Sequence, residues 1–355
     1  MKNRRLTWFL VFILIFSILS AAGCSNAAKK QEAPSINENK KVTIAIQYGL
    51  AYAPLQIVQQ QKLVEKYLPG TEVVWKQLGT GPVIRDAMVA GEVDIGFMGI
   101  SPFLVGWDKG AQWKICTASG SQPVILVTSN KKIRSIKDIS AVDKIATPAL
   151  ASIQHILLAM QAEKELGNAH ALDNNLLSVT HPDAMAGLLS KKDVTAHFSS
   201  PPYLYKELQD PAIQEVLNGE DAFGQEFTFI FGVATEKFHD ENPGTYNAFI
   251  GAFNEAVAFI NNHPEEAAAV LAPQYQNSEA ETLRYLTGEG TNYCTTPYGI
   301  MGMAEFMHQQ GFISKMPASL DEIAFENVQA AIGSRYGEKS VIERLQERDN
   351  AGKDQ

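Results

Sequence analysis

Six short stretches carry residues that can hold a small polar molecule without reacting with it. They are Gln47-Tyr48-Gly49, Gly79-Thr80-Gly81, Gly99-Ile100-Ser101, Ser121-Gln122, Ala151-Ser152-Ile153 and His197-Phe198-Ser199-Ser200. They mix glycine, which lets a ligand approach the backbone, with hydroxyl and amide side chains. Several stand directly before a segment of helical spacing. The first N–H groups of a helix have no partner inside it and form the positive end of its dipole. Such stretches can therefore hold an oxyanion without a metal or a buried cation. A neutral donor set also suits a ligand that must be released, because a buried ion pair needs closer compensation.

Each residue has a second reading. Thr80 and Ser101 serve equally well as helix caps, with the helix after Ser101 starting at Pro102. Ser152, ahead of the most regular helix in the chain, is the foremost ligand candidate. His155, one turn further on, can reach a ligand or pack. Tyr48 and Tyr52 wall a cleft or belong to the core, and so does Phe198. Arg85 reads as a solvated residue and Asp94 as a backbone cap. The chain has no GxSxG, no HExxH and no cysteine pair at metal spacing. None of the seven histidines has another four residues away. Neither catalysis nor a metal nor a cofactor is expected.

The elements that must position these stretches alternate. Strand patterns at 41–49, 71–78, 93–99 and 113–119 are separated by helix patterns at 53–68, 80–92 and 102–109. A second round starts at 143–149, with a helix at 151–167 closed by Gly167. It continues through 176–181, 182–189 and 194–203. Residues 227–238 form a returning strand, and helices follow at 243–262, 264–272, 278–288, 299–310 and 319–331. This rhythm predicts an α/β protein of two similar lobes with a ligand cleft between them. The expected division is 42–122 with 227–335 for the first lobe, 123–226 for the second, and a charged tail at 336–355.

The N-terminus gives an address. Lys2, Arg4 and Arg5 precede an apolar run over Leu6–Leu19 and then small residues, the pattern of an export signal. The run is short for a membrane span. Residues 25–41 are polar, a tether with little to bury. Removing residues 1–23 takes three positive charges away, so the formal charge of -9 becomes -12 over 332 residues. An acidic body with no basic run is a poor partner for nucleic acid. Cys116 and Cys294, far apart in sequence, read as thiols in the fold, with a disulfide as the alternative.

Ala21-Ala22-Gly23-Cys24 resembles the lipobox of bacterial lipoproteins, although Ala21 stands where leucine is usual. The likeness implies cleavage before Cys24 and a lipid on its thiol. Further along, "VTIAIQYGLAYAPLQIVQQQKLVEKYLP", "GTGPVIRDAMVAGEVDIGFMGISP", "IRSIKDISAVDKIATPALASIQHILLAMQAEKELG" and "HPDAMAGLLSKKDVTAHFSSPPY" follow one another in order. Together they resemble the substrate-binding lipoproteins of ABC importers of the sulfonate, nitrate and taurine class. The resemblance implies a fold of the periplasmic-binding type II kind, with hinge closure on a small anionic or zwitterionic ligand. It implies a monomer, anchored on the outer side of the cytoplasmic membrane or periplasmic, that hands its cargo to a permease coupled to an ATPase. Two alternatives remain: the same receptor for a pyrimidine or other aromatic ligand, for which Phe229 is a candidate wall, and an enzyme like those that make the pyrimidine of thiamine.

Overall fold

The computed structural model describes residues 40–329. The expected signal, Cys24, the tether up to residue 39 and the whole charged tail lie outside them, and the expected tether's last residue, Lys41, already belongs to the first strand. Two five-stranded mixed sheets form the body. The first holds β1 (Lys41–Ile46), β2 (Glu72–Gln77), β3 (Ile95–Met98), β4 (Trp113–Ala118) and β10 (Phe231–Thr235) in the order β2-β1-β3-β10-β4. The second holds β5 (Ile125–Thr128), β6 (Ile145–Thr147), β7 (Leu176–Ser178), β8 (Ala196–Ser199) and β9 (Gln214–Asn218) in the order β7-β6-β8-β5-β9. Four strands of each sheet point the same way, three of them adjacent and paired parallel. The fourth in order, β10 or β5, is antiparallel to both of its neighbours. Each sheet thus takes that strand from a chain segment that has just left the other, and the chain crosses twice.

Parallel pairing needs a crossover, and helices supply it. Gly81–Val89 joins β2 to β3, Ile153–Leu166 joins β6 to β7, and His181–Ser190 joins β7 to β8. Gly96 in β3 shows how closely they pack, since a Cβ there would lie 2.5 Å from Ile84 and Met88 of Gly81–Val89. The core follows the period-2 alternation of strands. In β5, Leu126 joins the large cluster shared with the first sheet, while Ile125 and Val127 face a smaller one with Ala184 and Leu188.

Several expectations shift. The helix expected over 53–68 is two helices, Ala53–Gln60 and Leu63–Tyr67, because Lys62 adopts a left-handed conformation with φ 51°. That break turns Leu63 and Val64 into the core beside the helix Pro243–Asn262. The returning strand is short, and from Glu236 the chain is helical under a Thr235 cap. The last expected helix is interrupted: Leu320–Ile323 ends where Ala324 bridges Ile115 of β4, and residues 326–329 are helical again. The edge strand β9 lacks a clear sequence signal, because only Leu217 of its five residues is buried. Cys116 and Cys294 are both free thiols, the first fully buried. No helix among the described residues is long and apolar enough to cross a membrane.

Candidate functional site

Four helices of nine or more residues start at one place. They are Gly81–Val89 and Ile100–Asp108 from the first sheet, and Ile153–Leu166 and His181–Ser190 from the second. Their opening residues Gly81, Pro82, Gly99, Pro102, Ser152, Ile153, Gln154 and His181 line a single pocket between the sheets. Gln47, Tyr48, Tyr52, Phe229 and Ser200 add amide, aromatic and hydroxyl surface. No Lys, Arg, Asp or Glu is among the lining residues. The pocket potential is therefore set by helix ends, whose free N–H groups and dipoles favour a negative ligand.

The lobes meet closely around it. Leu50 N–H donates to the Pro201 carbonyl at 2.9 Å. A Cβ on Gly99 would lie 3.2 Å from Ile153 Cβ, and one on Gly79 would lie 3.3 Å from Thr180. Glycine at these loops lets the two halves approach. The enclosed cavity is about 30 Å³, room for roughly one water, so a larger ligand enters only as the lobes part.

The caps differ in kind. Thr80 and Ser152 both accept from the N–H three residues on, Val83 and His155, as N-caps do. Ser152→Ala should cost about 1 kcal/mol of stability through that lost cap, read as a lower denaturation midpoint. An unchanged midpoint would show that the cap carries no weight. Ser101 does not cap. Its helix starts at Ile100, with Gly99 as the N-cap residue, because Pro102 is tolerated in a first turn where its missing N–H has no intrahelical acceptor. Ser101 Oγ is left buried without a protein partner.

The other expected residues divide. Gln47, Tyr48, Gly81, Gly99, Ser152 and Ile153 line the pocket, whereas Gly79, Thr80 and Ile100 stand beside it. Gln47 donates its amide to the Phe97 carbonyl at 3.2 Å. Phe198 is a core residue, wholly buried and paired with Leu126 across β8 and β5. Ser199 lies in the same strand with its Oγ buried and unpartnered, and Ser200, one residue on, reaches the pocket. Ser121 and Gln122 sit at the crossing between sheets. Ser121 Oγ donates to Glu226, and Gln122 Nε2 bonds the Tyr293 hydroxyl.

His155 serves its own loop. Its Nδ1 accepts from Ala151 N–H at 3.0 Å and its Nε2 meets Asp173 at 3.0 Å. Burial lowers its pKa, and Asp173 partly opposes that. It holds Ala151 in the left-handed conformation, φ 56°, that feeds the Ser152 cap. Asp94 accepts from Thr43 N–H at 2.8 Å and ties β1 to the start of β3.

The sequence reading names Phe229 as a candidate wall for a flat ligand, and Phe229 lines the pocket; the same reading passes over His181, Gln154 and Pro148. His181 was placed at a strand end, although Pro182 behind it signals a helix start. It is buried, and burial together with the neighbouring His197 holds its pKa well below the ordinary histidine range. His181 Nδ1 lies 2.8 Å from His197 Nε2, and His197 Nδ1 lies 2.6 Å from Glu207 Oε1. Among the described residues, no group of three or more His, Cys, Asp or Glu is arranged to hold a metal ion.

The profile of the NMT1-like family matches residues 35–273. A Bacillus subtilis (strain 168) protein named for binding aliphatic sulfonates is 26% identical over 266 residues, which cover 73% of this chain and 75% of the relative. Among solved structures, the alkanesulfonate-binding protein of Xanthomonas axonopodis pv. citri, bound to MOPS, superposes with a TM-score of 0.67 at 20% identity. That match covers 81% of this chain and 97% of the other. The periplasmic aliphatic sulphonate binding protein of Escherichia coli gives a TM-score of 0.62 at 21% identity, covering 81% and 92%. At such identities the structural likeness is one of fold: two mixed α/β sheets of the periplasmic-binding kind.

Proposed function

The chain belongs to the NMT1-like family, and from that premise we propose that it is the solute receptor of an ABC importer, capturing a small organic sulfonate or related oxyanion. The observation that carries this reading is the convergence of four helix N-termini on a pocket lined by no charged Lys, Arg, Asp or Glu. A sulfonate offers three oxygens with one dispersed charge and an organic tail. Helix N–H groups suit the first, and Tyr48, Tyr52, Pro148 and Phe229 suit the second. The relatives named for binding sulfonates support the same class. Because no cation must be stripped of a partner on release, the cargo can be handed on when the lobes part.

In this reading the chain has no catalytic step of its own. It works as a monomer outside the cytoplasmic membrane, held by lipid on Cys24, and docks on a permease driven by an ATPase. The aromatic lining also makes a flat ring the natural competitor for the site.

Thermal denaturation with ethanesulfonate, taurine, nitrate and a hydroxymethylpyrimidine separates the two. A sulfonate is expected to stabilise the protein by about 2.7 kcal/mol at one hundred times its dissociation constant. No shift with either sulfonate, together with one for the pyrimidine, would replace the sulfonate reading by the aromatic one.

A further inference from the structure

One buried line of polar groups ends in the pocket. It runs from Glu207, the last residue of the helix Tyr203–Glu207, through His197 in β8 to His181, the first residue of its helix. Glu207 and His197 are wholly buried and His181 is 8% exposed. Beyond His181, its Nε2 lies 3.2 Å from Gln154 Nε2 and 3.4 Å from Ser200 Oγ, and all three residues line the pocket. The His181 ring also stacks on Tyr203, with centroids 5.7 Å apart.

The hydrogens on this line can be counted. The contact between Glu207 Oε1 and His197 Nδ1 holds one, and the contact between His197 Nε2 and His181 Nδ1 holds one. The open question is whether His181 Nε2 carries a third. With two hydrogens the trio bears one net negative charge, and Nε2 is an acceptor. With three the trio is neutral, and the third hydrogen sits either on His181 Nε2, which faces Gln154 and Ser200 and is then a donor, or on Glu207 Oε2, where it would be a buried donor with no acceptor and is disfavoured. This count holds wherever each hydrogen sits within its own contact.

Burial decides between the two. Among the described residues, His197 is the sole ion-pair partner of Glu207, and Glu207 Oε2 has no protein hydrogen-bond partner. A net charge there would be uncompensated in the interior, which is strongly disfavoured. The neutral count is therefore the favoured one. It makes His181 Nδ1 an acceptor from His197 and leaves Nε2–H directed at the pocket. The Gln154 amide then turns its oxygen to that hydrogen.

We propose that the Glu207–His197–His181 line stores one proton and thereby holds His181 Nε2 as a neutral hydrogen-bond donor to an oxyanion in the cleft. This deepens the anion-receptor reading and rests on it for the identity of the ligand. His181 is the contact, while His197 and Glu207 are positioning residues that act through it. The device gives the cleft a directed donor beside its helix ends without placing a fixed cation there.

Nitrogen-15 NMR of the histidine-labelled protein at neutral pH, with ethanesulfonate as probe, tests this. In the free protein His181 should show a protonated Nε2 and a bare Nδ1. Saturating ethanesulfonate should move the Nε2–H proton downfield, and His181→Gln should weaken ethanesulfonate binding at least about tenfold. In Glu207→Gln the two His181 tautomers no longer differ in net charge. Both should then be populated, and ethanesulfonate should bind more weakly. If that variant does not fold, the wild-type spectrum still decides.

A bare Nε2 on His181 in the free protein overturns the proposal whatever the cargo is. A protonated Nε2 that does not respond to bound ethanesulfonate overturns His181 as a contact. A single His181 tautomer and unchanged affinity in folded Glu207→Gln removes Glu207 from the device. Failure of ethanesulfonate and taurine to bind, beside a protonated Nε2, removes the sulfonate cargo and leaves the stored proton standing.

Discussion

Replacing Gly120 by alanine is expected to cost about 3 kcal/mol or more, the largest loss expected from a glycine-to-alanine change among the described residues. Gly120 lies where the chain leaves the first sheet for the second. Its φ is +95°, and a Cβ there would stand 1.7 Å from the Asn292 carbonyl oxygen. That obstacle is backbone, and it is tied down. Ser121 N–H donates to Asn292 O at 2.9 Å, and Asn292 N–H donates to Ser121 O at 3.0 Å. On the other side, Phe229 N–H donates to Gly120 O at 2.9 Å, and Ser119 N–H to Ile230 O at 2.9 Å. The outgoing strand is thus held between the returning strand and the loop before the helix Ile300–Gln309.

Gly110→Ala is the control. Gly110 has a similar φ of +88° with nothing near its would-be Cβ. It should lose only the left-handed strain, about 1–2 kcal/mol. Urea denaturation of both variants measures the difference. Equal losses would mean that the crossing gives way easily and is not the rigid seam described here. The position matters for function because Phe229 and Ile230, which hold Gly120 and Ser119, also line the pocket.

The second large effect concerns His197. His197→Leu leaves the Glu207 carboxyl wholly buried, to stay charged without a partner or to take up a proton. The expected loss is about 3–5 kcal/mol. The double replacement His197→Leu with Glu207→Leu removes both polar groups, and most of that loss should return. A double-mutant cycle by equilibrium denaturation reads the coupling. A His197→Leu protein within about 1 kcal/mol of wild type would show that the pair is not sealed from solvent.

Local features of the fold were legible early. Thr80 reads as a cap because an N-cap depends on a side chain and an N–H three residues on. Gly167 closed its helix at the expected place, in the left-handed conformation. The strand-helix rhythm anticipated both sheets, since period-2 and period-3.6 patterns are properties of short segments. Ser101 is misplaced because serine before proline suggests a cap, whereas the helix starts one residue earlier and takes Pro102 into its first turn, where the missing N–H has no intrahelical acceptor.

What the sequence determined by itself was the kind of molecule: an α/β body in two rounds, with glycine and hydroxyl residues at strand ends and no reactive constellation. Only the tertiary structure decided which of those residues face the cleft. Phe198 and Ser199 lie within β8 and are covered by its neighbours, while Ser200, one residue past the end of the strand, lines the pocket, and a local pattern does not say at which residue the strand stops. The line from Glu207 to His181 was likewise out of reach. Its members are 10 and 16 residues apart on a short helix, a strand and a second helix. No local pattern links them. They meet because helix packing on β8 brings one ring nitrogen of each histidine within hydrogen-bond distance of the next group, and burial then fixes how many protons they share.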